Sequence, residues 1–293
     1  MRASAVTVSI LTWFFLMGEL VAGQDAPASQ ETYDFLRDRG PGIPTSLFGT
    51  YVQKGELLIY PFFEYYRDQN LEYSPAELGL GPDQDFRGRY RASEGLIFVG
   101  YGLSDAFAIE LEAAVIDATL QKSPDDTSSV PDEIQESGLG DIQTLLTWRW
   151  KKETIDRPEF FSFAEVVFPH SKEKVLIGTP GWQVKVGTGV IRGFRWGTLT
   201  ARGALEYDDS SSSPWDLGEY AIEYLRQVSP SWRLYAGIEG SSDELSLIGE
   251  VQWHLSRHVV LKLNSGFGLS SKATDWAPEV GILFRWPPRE GGS

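Results

Sequence analysis

From residue 55 onward the chain repeats one pattern: stretches of about ten residues in which apolar and polar side chains alternate, separated by turn residues. The tenth stretch is the clearest, with Leu247, Gly249, Val251, Trp253 and Leu255 on one parity and Ile248, Glu250, Gln252 and His254 on the other. A strand sends successive side chains to opposite faces, so a period of two places the two sets on two sides of a sheet. The fourth stretch repeats the split, with Ile142, Thr144, Leu146, Trp148 and Trp150 opposite Gln143, Thr147, Arg149 and Lys151. The sixth sets Trp182, Val184 and Val186 against Gln183 and Lys185, and the last sets Val280, Ile282, Phe284 and Trp286 against Glu279 and Arg285. The second and fifth stretches leave the faces open. The pattern predicts twelve strands, near 55–67, 88–102, 106–118, 140–151, 158–168, 181–191, 196–207, 217–228, 231–240, 245–255, 258–268 and 276–286.

The connections vary in an ordered way. Those after the second, sixth, eighth and tenth strands are tight, at 103–105, 192–195, 229–230 and 256–257. Most of those after odd-numbered strands are long and polar, as at 68–87 and 119–139. Short turns on one side and long loops on the other is the arrangement of outer-membrane barrels, with the turns periplasmic and the loops outside. Tyr101, Trp150, Trp182, Trp196, Tyr207, Trp232 and Trp286 recur at strand ends, where amphipathic rings suit the headgroup level of a bilayer. The fold class is therefore all-β: a transmembrane, antiparallel, up-and-down β-barrel of about twelve strands over residues 55–286. A β-sandwich would also bury one face of each strand, but it needs neither the one-sided loop lengths nor an export signal.

Such a signal stands at residues 1–23, where Arg2 precedes an apolar run that ends in the small residues Val21, Ala22 and Gly23. The run is short for a spanning helix, which takes roughly 20 apolar residues, so it reads as a cleaved signal with a mature start near Gln24 rather than a retained anchor. No later apolar run is long enough to cross as a helix, so any insertion uses strands. Residues 24–54 carry Pro27, Pro41 and Pro44 without periodicity and read as a periplasmic lead-in. Residues 287–293 form a short tail after the last strand.

Composition narrows the rest. There is no cysteine, so disulfides, thiolate metal sites and a lipid-attachment cysteine are excluded. A net charge of −15 argues against nucleic acid, which is bound by neutralising phosphates with Lys and Arg. The partners expected instead are the lipid of the outer membrane, a small-molecule solute and the barrel assembly machinery.

The polar parity carries charges of both signs, and the candidate lumen-lining residues are Glu110, Glu112, Arg149, Lys185, Arg202, Glu206, Glu219, Glu223, Arg233, Glu239, Glu250, Gln252, Lys262, Glu279 and Arg285. Ions on an inner wall must be hydrated or paired, because an isolated charge away from water is costly. Such a set is either a pathway whose charges select solutes or a structural lattice that plugs the barrel. On this reading Arg in place of Val251 meets lipid and costs more than Arg in place of Glu250, which meets the lumen.

Catalytic and metal readings are thin. His254 and His258 flank a tight turn as a metal pair would, without an evident third ligand, and no cofactor is implied. Outer-membrane phospholipases use a lipid-facing Ser and His, whereas His254 falls on the inner parity. Gly187-Thr188-Gly189 and Gly266-Phe267-Gly268 lie inside strands and not before a helix, which removes a dinucleotide reading. Asp125-Asp126 and Asp208-Asp209 sit in loops as solvated charge or weak calcium ligands.

Tyr101-Gly102-Leu103-Ser104-Asp105 ahead of an alternating strand, and Gly138-Leu139-Gly140-Asp141 leading into 142–150, resemble the family of outer-membrane transporters of the meta-pathway of phenol degradation. Phe168-Pro169, Gly266-Phe267-Gly268-Leu269-Ser270 and the aromatic-ended last strand fit its later portion, and the resemblance covers most of 55–286. It implies passive transport of small molecules, aromatic or hydrophobic ones among them, and no catalytic residues. The chain departs from the family at Pro169-His170-Ser171, where Pro-Thr-Gly is usual, and in the tail beyond Trp286. The function expected is a narrow outer-membrane channel or facilitator; the alternatives are a plugged structural or interaction barrel and a lipid-acting enzyme.

Overall fold

The computed structural model describes residues 34–76, 78–82, 84–170, 173–210 and 214–287. The signal at 1–23, the start near Gln24 and nearly all of the tail lie outside the described residues. A 3-10 turn at Asp34–Leu36 leads to two short strands, β1 (Ile43–Pro44) and β2 (Tyr51–Val52), which pair with each other. Twelve strands follow: β3 (Leu57–Tyr73), β4 (Phe86–Gly102), β5 (Phe107–Gln121), β6 (Glu133–Lys151), β7 (Glu159–Phe168) and β8 (Gln183–Phe194), then β9 (Gly197–Asp208), β10 (Trp215–Ser229), β11 (Trp232–Gly240), β12 (Leu245–Ser256), β13 (Val259–Gly268) and β14 (Ala277–Trp286). Each pairs antiparallel with the next, and β14 returns to β3 through pairs such as Glu279 with Glu64 and Trp286 with Leu57, so the sheet closes on itself. Closure leaves no free edge, which is how a sheet satisfies its backbone in lipid. No helix of the described residues is long and apolar enough to cross a membrane.

Burial alternates along the strands as the sequence pattern demands. On β12 Ile248, Glu250, Gln252 and His254 are buried, while Leu247, Val251, Trp253 and Leu255 are exposed. The outward apolar residues run around the barrel from Ile97 and Ile109 through Val186, Leu205 and Ile222 to Val280 and Ile282. So much exposed apolar surface marks a face made for something other than water. At the end of the short turns this band finishes in stacked rings, with Phe194 and Trp196 at 4.8 Å, Trp232 and Trp253 at 5.4 Å, and Phe107 and Trp148 at 6.1 Å. At the long-loop end Phe168 meets Trp182 at 5.0 Å and Tyr207 meets Trp215 at 5.1 Å. These are the two girdles.

The two strands left open by the sequence are settled by packing. On β4 Tyr90, Ala92, Glu94, Leu96 and Phe98 point inward, and on β7 Glu159, Phe161, Phe163, Glu165 and Val167 do. Arg89 and Arg91 of β4 face outward toward the loop end, where Arg87 pairs with Glu72 at 2.5 Å.

Two expectations need correction. The long loops are shorter than 68–87 and 119–139, because β3, β4, β5 and β6 continue pairing past the apolar band as far as Tyr73 with Phe86 and Gln121 with Glu133. Past the band the outward positions meet water and turn polar, as at Arg87, Arg89, Arg91, Glu133 and Gln135, so the apolar outward parity that marks a strand disappears and ladder residues look like loop residues in sequence. The hairpin ends then hold each other, with the Tyr73 hydroxyl donating to Asp126 at 2.8 Å and Leu78 and Val130 buried. The second correction concerns the lead-in at 24–54, whose described part does not hang below the barrel. Residues 42–52 are buried, and the segment runs up inside the inner wall and back.

Candidate lumen and its plug

The inner face is built from the inward parity of all twelve strands, and it has three zones. At the turn end, the lead-in is fastened by charge. Arg39, wholly buried, pairs with Glu153 at 2.8 Å and Glu159 at 3.1 Å. Asp38 accepts from the Gln227 backbone N–H at 2.9 Å. Arg149 donates to the carbonyls of Pro41 at 2.9 Å, Gly42 at 2.5 Å and Asp105 at 2.6 Å. Arg285 reaches Glu56 at 2.7 Å and the Tyr51 carbonyl at 3.3 Å. Gly193 is required here: a Cβ at that position would lie 1.9 Å from the Phe35 carbonyl oxygen.

Deeper in, the tip of the lead-in fills the bore. The Ser46 backbone N–H donates to Glu110 at 2.7 Å and its hydroxyl donates to the same oxygen. Phe48 stacks on Tyr235 with centroids 4.9 Å apart, and the Arg202 guanidinium lies 4.8 Å from the Phe48 ring. A lattice of ion pairs surrounds the tip: Lys185 with Glu165 at 3.3 Å and Glu219 at 3.5 Å, Arg202 with Glu219 at 3.3 Å and Glu223 at 2.9 Å, and Lys262 with Glu250 at 3.0 Å. Inward Phe161 and Phe163 lie across Gly189 and Gly187, which explains those glycines without a nucleotide.

The third zone is acidic. Glu279 of β14, Glu64 of β3 and Glu94 of β4 are successive cross-strand partners in one row, all buried. Facing partners lie about 5 Å apart at Cβ, so this row sets like charges side by side, an arrangement that costs stability unless something compensates. The Tyr60 hydroxyl donates to Glu279 at 2.7 Å. Glu94 Oε1, Glu112 Oε2, both oxygens of Glu239 and both ring nitrogens of His254 are buried and take no hydrogen bond from the described residues.

All fifteen residues selected from the sequence lie on this inner face, but they divide among the zones. Arg149 and Arg285 hold the lead-in, as does Glu110, while Lys185, Arg202, Glu219, Glu223, Glu250 and Lys262 form the lattice. Glu112, Glu239 and Glu279 carry the acidic excess; Arg233, Gln252 and Glu206 fill the wall between. Sequence reasoning missed Glu64, Glu94 and Glu165, and it missed Arg39, Ser46 and Phe48 of the plug. Glu94 and Glu165 sit on the two strands of open parity. Glu64 follows Leu58, Tyr60 and Phe62 on one inward parity, so that strand carries apolar side chains on its inner face. The plug residues had no periodic signal at all.

His254 and His258 do not form a pair site. His258 Nδ1 lies 3.1 Å from the Arg285 carbonyl and its Nε2 accepts from Arg257 at 2.9 Å, and no group of three His, Cys, Asp or Glu among the described residues converges as a metal site. Asp126 and Asp208 of the loop pairs are taken up by the Ser128 and Ser210 backbone N–H groups at 2.7 and 2.8 Å.

No family model and no curated protein matches this chain. Solved structures do. An outer-membrane channel from Pseudomonas putida F1 is similar with a TM-score of 0.60 at 12% identity, over 80% of this chain and 97% of that one. The translocator domain of the autotransporter NalP from Neisseria meningitidis is similar with a TM-score of 0.50 at 11% identity, over 80% and 89%. The porin KdgM, in complex with disordered oligogalacturonate, is similar with a TM-score of 0.50 at 5% identity, over 78% and 99%. At such identities a likeness speaks for backbone and not for cargo, and what it shows is that this chain has the fold of the outer-membrane β-barrels.

Proposed function

We propose that the protein is an outer-membrane channel for passive passage of small solutes, constricted at its periplasmic end by its own N-terminal segment. The carrying observation is the inner wall. Burying polar groups without a hydrogen bond costs roughly 1–3 kcal/mol each, and far more when they are charged. A barrel meant to be solid would fill the positions of Glu94, Glu112, Glu239 and His254 with apolar side chains. Carboxylates there suit a bore that water and solutes enter. The fold supports the same reading, since a channel and a porin share it, and a twelve-stranded barrel lies between the side-chain-filled eight-stranded barrels and the open 16–18-stranded porins.

Inward Tyr60, Phe62, Tyr66, Tyr90 and Phe98 give one arc of the wall an aromatic lining, which agrees with small aromatic solutes as the resemblance to phenol-pathway transporters implies. Catalysis on lipid has no comparable support, because His254 faces the bore and His258 is engaged at the turn. The ion-pair lattice and the seated plug favour a second reading, a closed structural barrel. Conductance of the full-length protein and of a variant lacking residues 34–54, each in planar bilayers, separates the two. The channel predicts small currents from the full chain and several-fold larger ones without the segment. Silence from both establishes the closed barrel.

A further inference from the structure

On the outer wall of β3 and β4 the apolar band ends, toward the long loops, at Phe63, which faces Gly95. The next outward pair along this hairpin is Tyr65 with Ser93, and the one after it is Arg67 with Arg91, followed on β4 by Arg89 and Arg87. All four arginines are exposed. Arg87 is taken up by Glu72, but the guanidinium groups of Arg67, Arg89 and Arg91 have no hydrogen bond or ion pair among the described residues. The nearby carboxylates are engaged or set apart: Asp275 accepts the Gln69 N–H at 3.1 Å, Glu133 accepts the Gln121 amide at 3.1 Å, and Asp117 stands one outward pair nearer the band, across from Ser93. A chain of net charge −15 thus gathers positive charge on one patch of its side wall. Arg67 and Arg91 are direct cross-strand partners, and like charges set opposite each other weaken a ladder unless something compensates.

We propose that Arg67, Arg89 and Arg91 dock a phosphate group of the outer-leaflet glycolipid, lipopolysaccharide, whose acyl chains lie on the apolar wall below them. The inference goes beyond solute passage and holds whether or not the bore conducts. Height is the first argument. Arg67 stands four residues past Phe63, roughly 13 Å along the strand, and a strand tilted by about 40° turns this into roughly 10 Å along the membrane normal. A headgroup layer is about 5–8 Å deep, and an arginine stem reaches back toward it. Tyr65 and Trp276 lie beside the patch, Trp276 exchanging backbone hydrogen bonds with Arg67 at 3.0 and 3.2 Å, and such amphipathic rings belong at the headgroup level. Direction is the second argument. The patch faces sideways from the wall, in line with the exposed Phe63, Ile97 and Val115, so its ligand has an apolar body below the anionic group. A soluble anion has no such body, and a polyanionic chain meets the loop tips before the side wall. Chemistry is the third. Guanidinium forks pair bidentately with phosphate, and a dianion between Arg67 and Arg91 cancels the repulsion that the ladder otherwise carries.

The test uses the full-length protein refolded in a neutral detergent, with EDTA present so that divalent ions cannot bridge lipid phosphates to surface carboxylates. The probe is lipid A carrying both phosphates, with fully dephosphorylated lipid A and inorganic phosphate as comparisons, and bound lipid is counted by native mass spectrometry over a titration. Saturable binding of phosphorylated lipid A, and only background binding of the dephosphorylated form, is the expected result. Arg67→Gln and Arg91→Gln should each weaken it about fivefold, the scale of one basic residue at an anionic lipid surface. Lys151→Gln, which removes an exposed cation at the turn end, should leave it unchanged. Thermal unfolding gives a second readout that a merely structural arginine would not produce. Without lipid, Arg91→Gln relieves the facing charges and should raise the melting temperature; with phosphorylated lipid A, wild type should gain more than the variant does. Undiminished binding in Arg67→Gln/Arg91→Gln, equal loss in Lys151→Gln, or equal binding of the two lipids overturns the site. Displacement of lipid A by inorganic phosphate at equal concentration overturns the lipid as its ligand and makes the patch a site for soluble anions.

Discussion

Replacing Glu250 by glutamine removes the partner of Lys262 from a pair whose side chains are both wholly shielded, with Nζ to Oε1 at 3.0 Å and the Gln252 amide donating to the same oxygen at 2.6 Å. Breaking a buried pair from one side strands the other charge and typically costs 3–5 kcal/mol, whereas an exposed pair contributes about 0.2–1 kcal/mol. The pair here has no exposure, so the upper range applies to Glu250→Gln, and Lys262→Met should cost a similar amount because it leaves the buried Glu250 without its cation, in a row where only Asn264 of β13 stands between it and Glu279 of β14. The double variant Glu250→Gln/Lys262→Met carries neither charge and should recover most of the loss. The assay is refolding into lipid vesicles with denaturant titration followed by tryptophan fluorescence, each single and the double compared as a cycle. Single losses below about 1 kcal/mol that simply add would refute the buried pair and mean that water reaches this stretch of wall. The same contact reverses an expectation from the sequence alone, in which Arg was the milder change at Glu250. An arginine there faces Lys262 with no carboxylate between them.

Two further expectations test the outer face and the export signal. Val251→Arg, one residue along β12 and on the exposed apolar parity, should cost roughly 2–4 kcal/mol in vesicles if it lies near the midplane; a loss within error would place that face in water. Mass spectrometry of envelope protein should find the mature chain starting within three residues of Gln24, and a chain retaining Met1 would remove the cleaved signal.

The number of strands, their order and most of their faces were legible in the sequence, and the reason is local. A period of two between lipid and a polar interior must be written into each strand separately, so β6, β8, β12 and β14 declared their faces one by one. The turns at 103–105 and 229–230 declared themselves through their short polar sequences. The second and fifth strands did not, since Arg89, Arg91 and Glu94 on one strand satisfy neither parity until the outward arginines are seen at the loop end, beyond the densest part of the apolar band. Loop length was misread for a related cause: past the apolar band the outward face is wet and polar, so pairing continues without the outward apolar parity that betrays a strand elsewhere. The plug was beyond local reading altogether. Arg39, Ser46 and Phe48 have no periodicity, and their partners Glu153, Glu159, Glu110 and Tyr235 lie between 64 and 187 positions away. Which inward charges pair, which hold the plug and which stay without a protein partner was likewise decided by closure. Glu64 and Glu94 face each other across the β3–β4 hairpin, but only when β14 meets β3 does Glu279 join their row, and the energy of a buried charge depends on what stands across the strand and not on what precedes it in the chain.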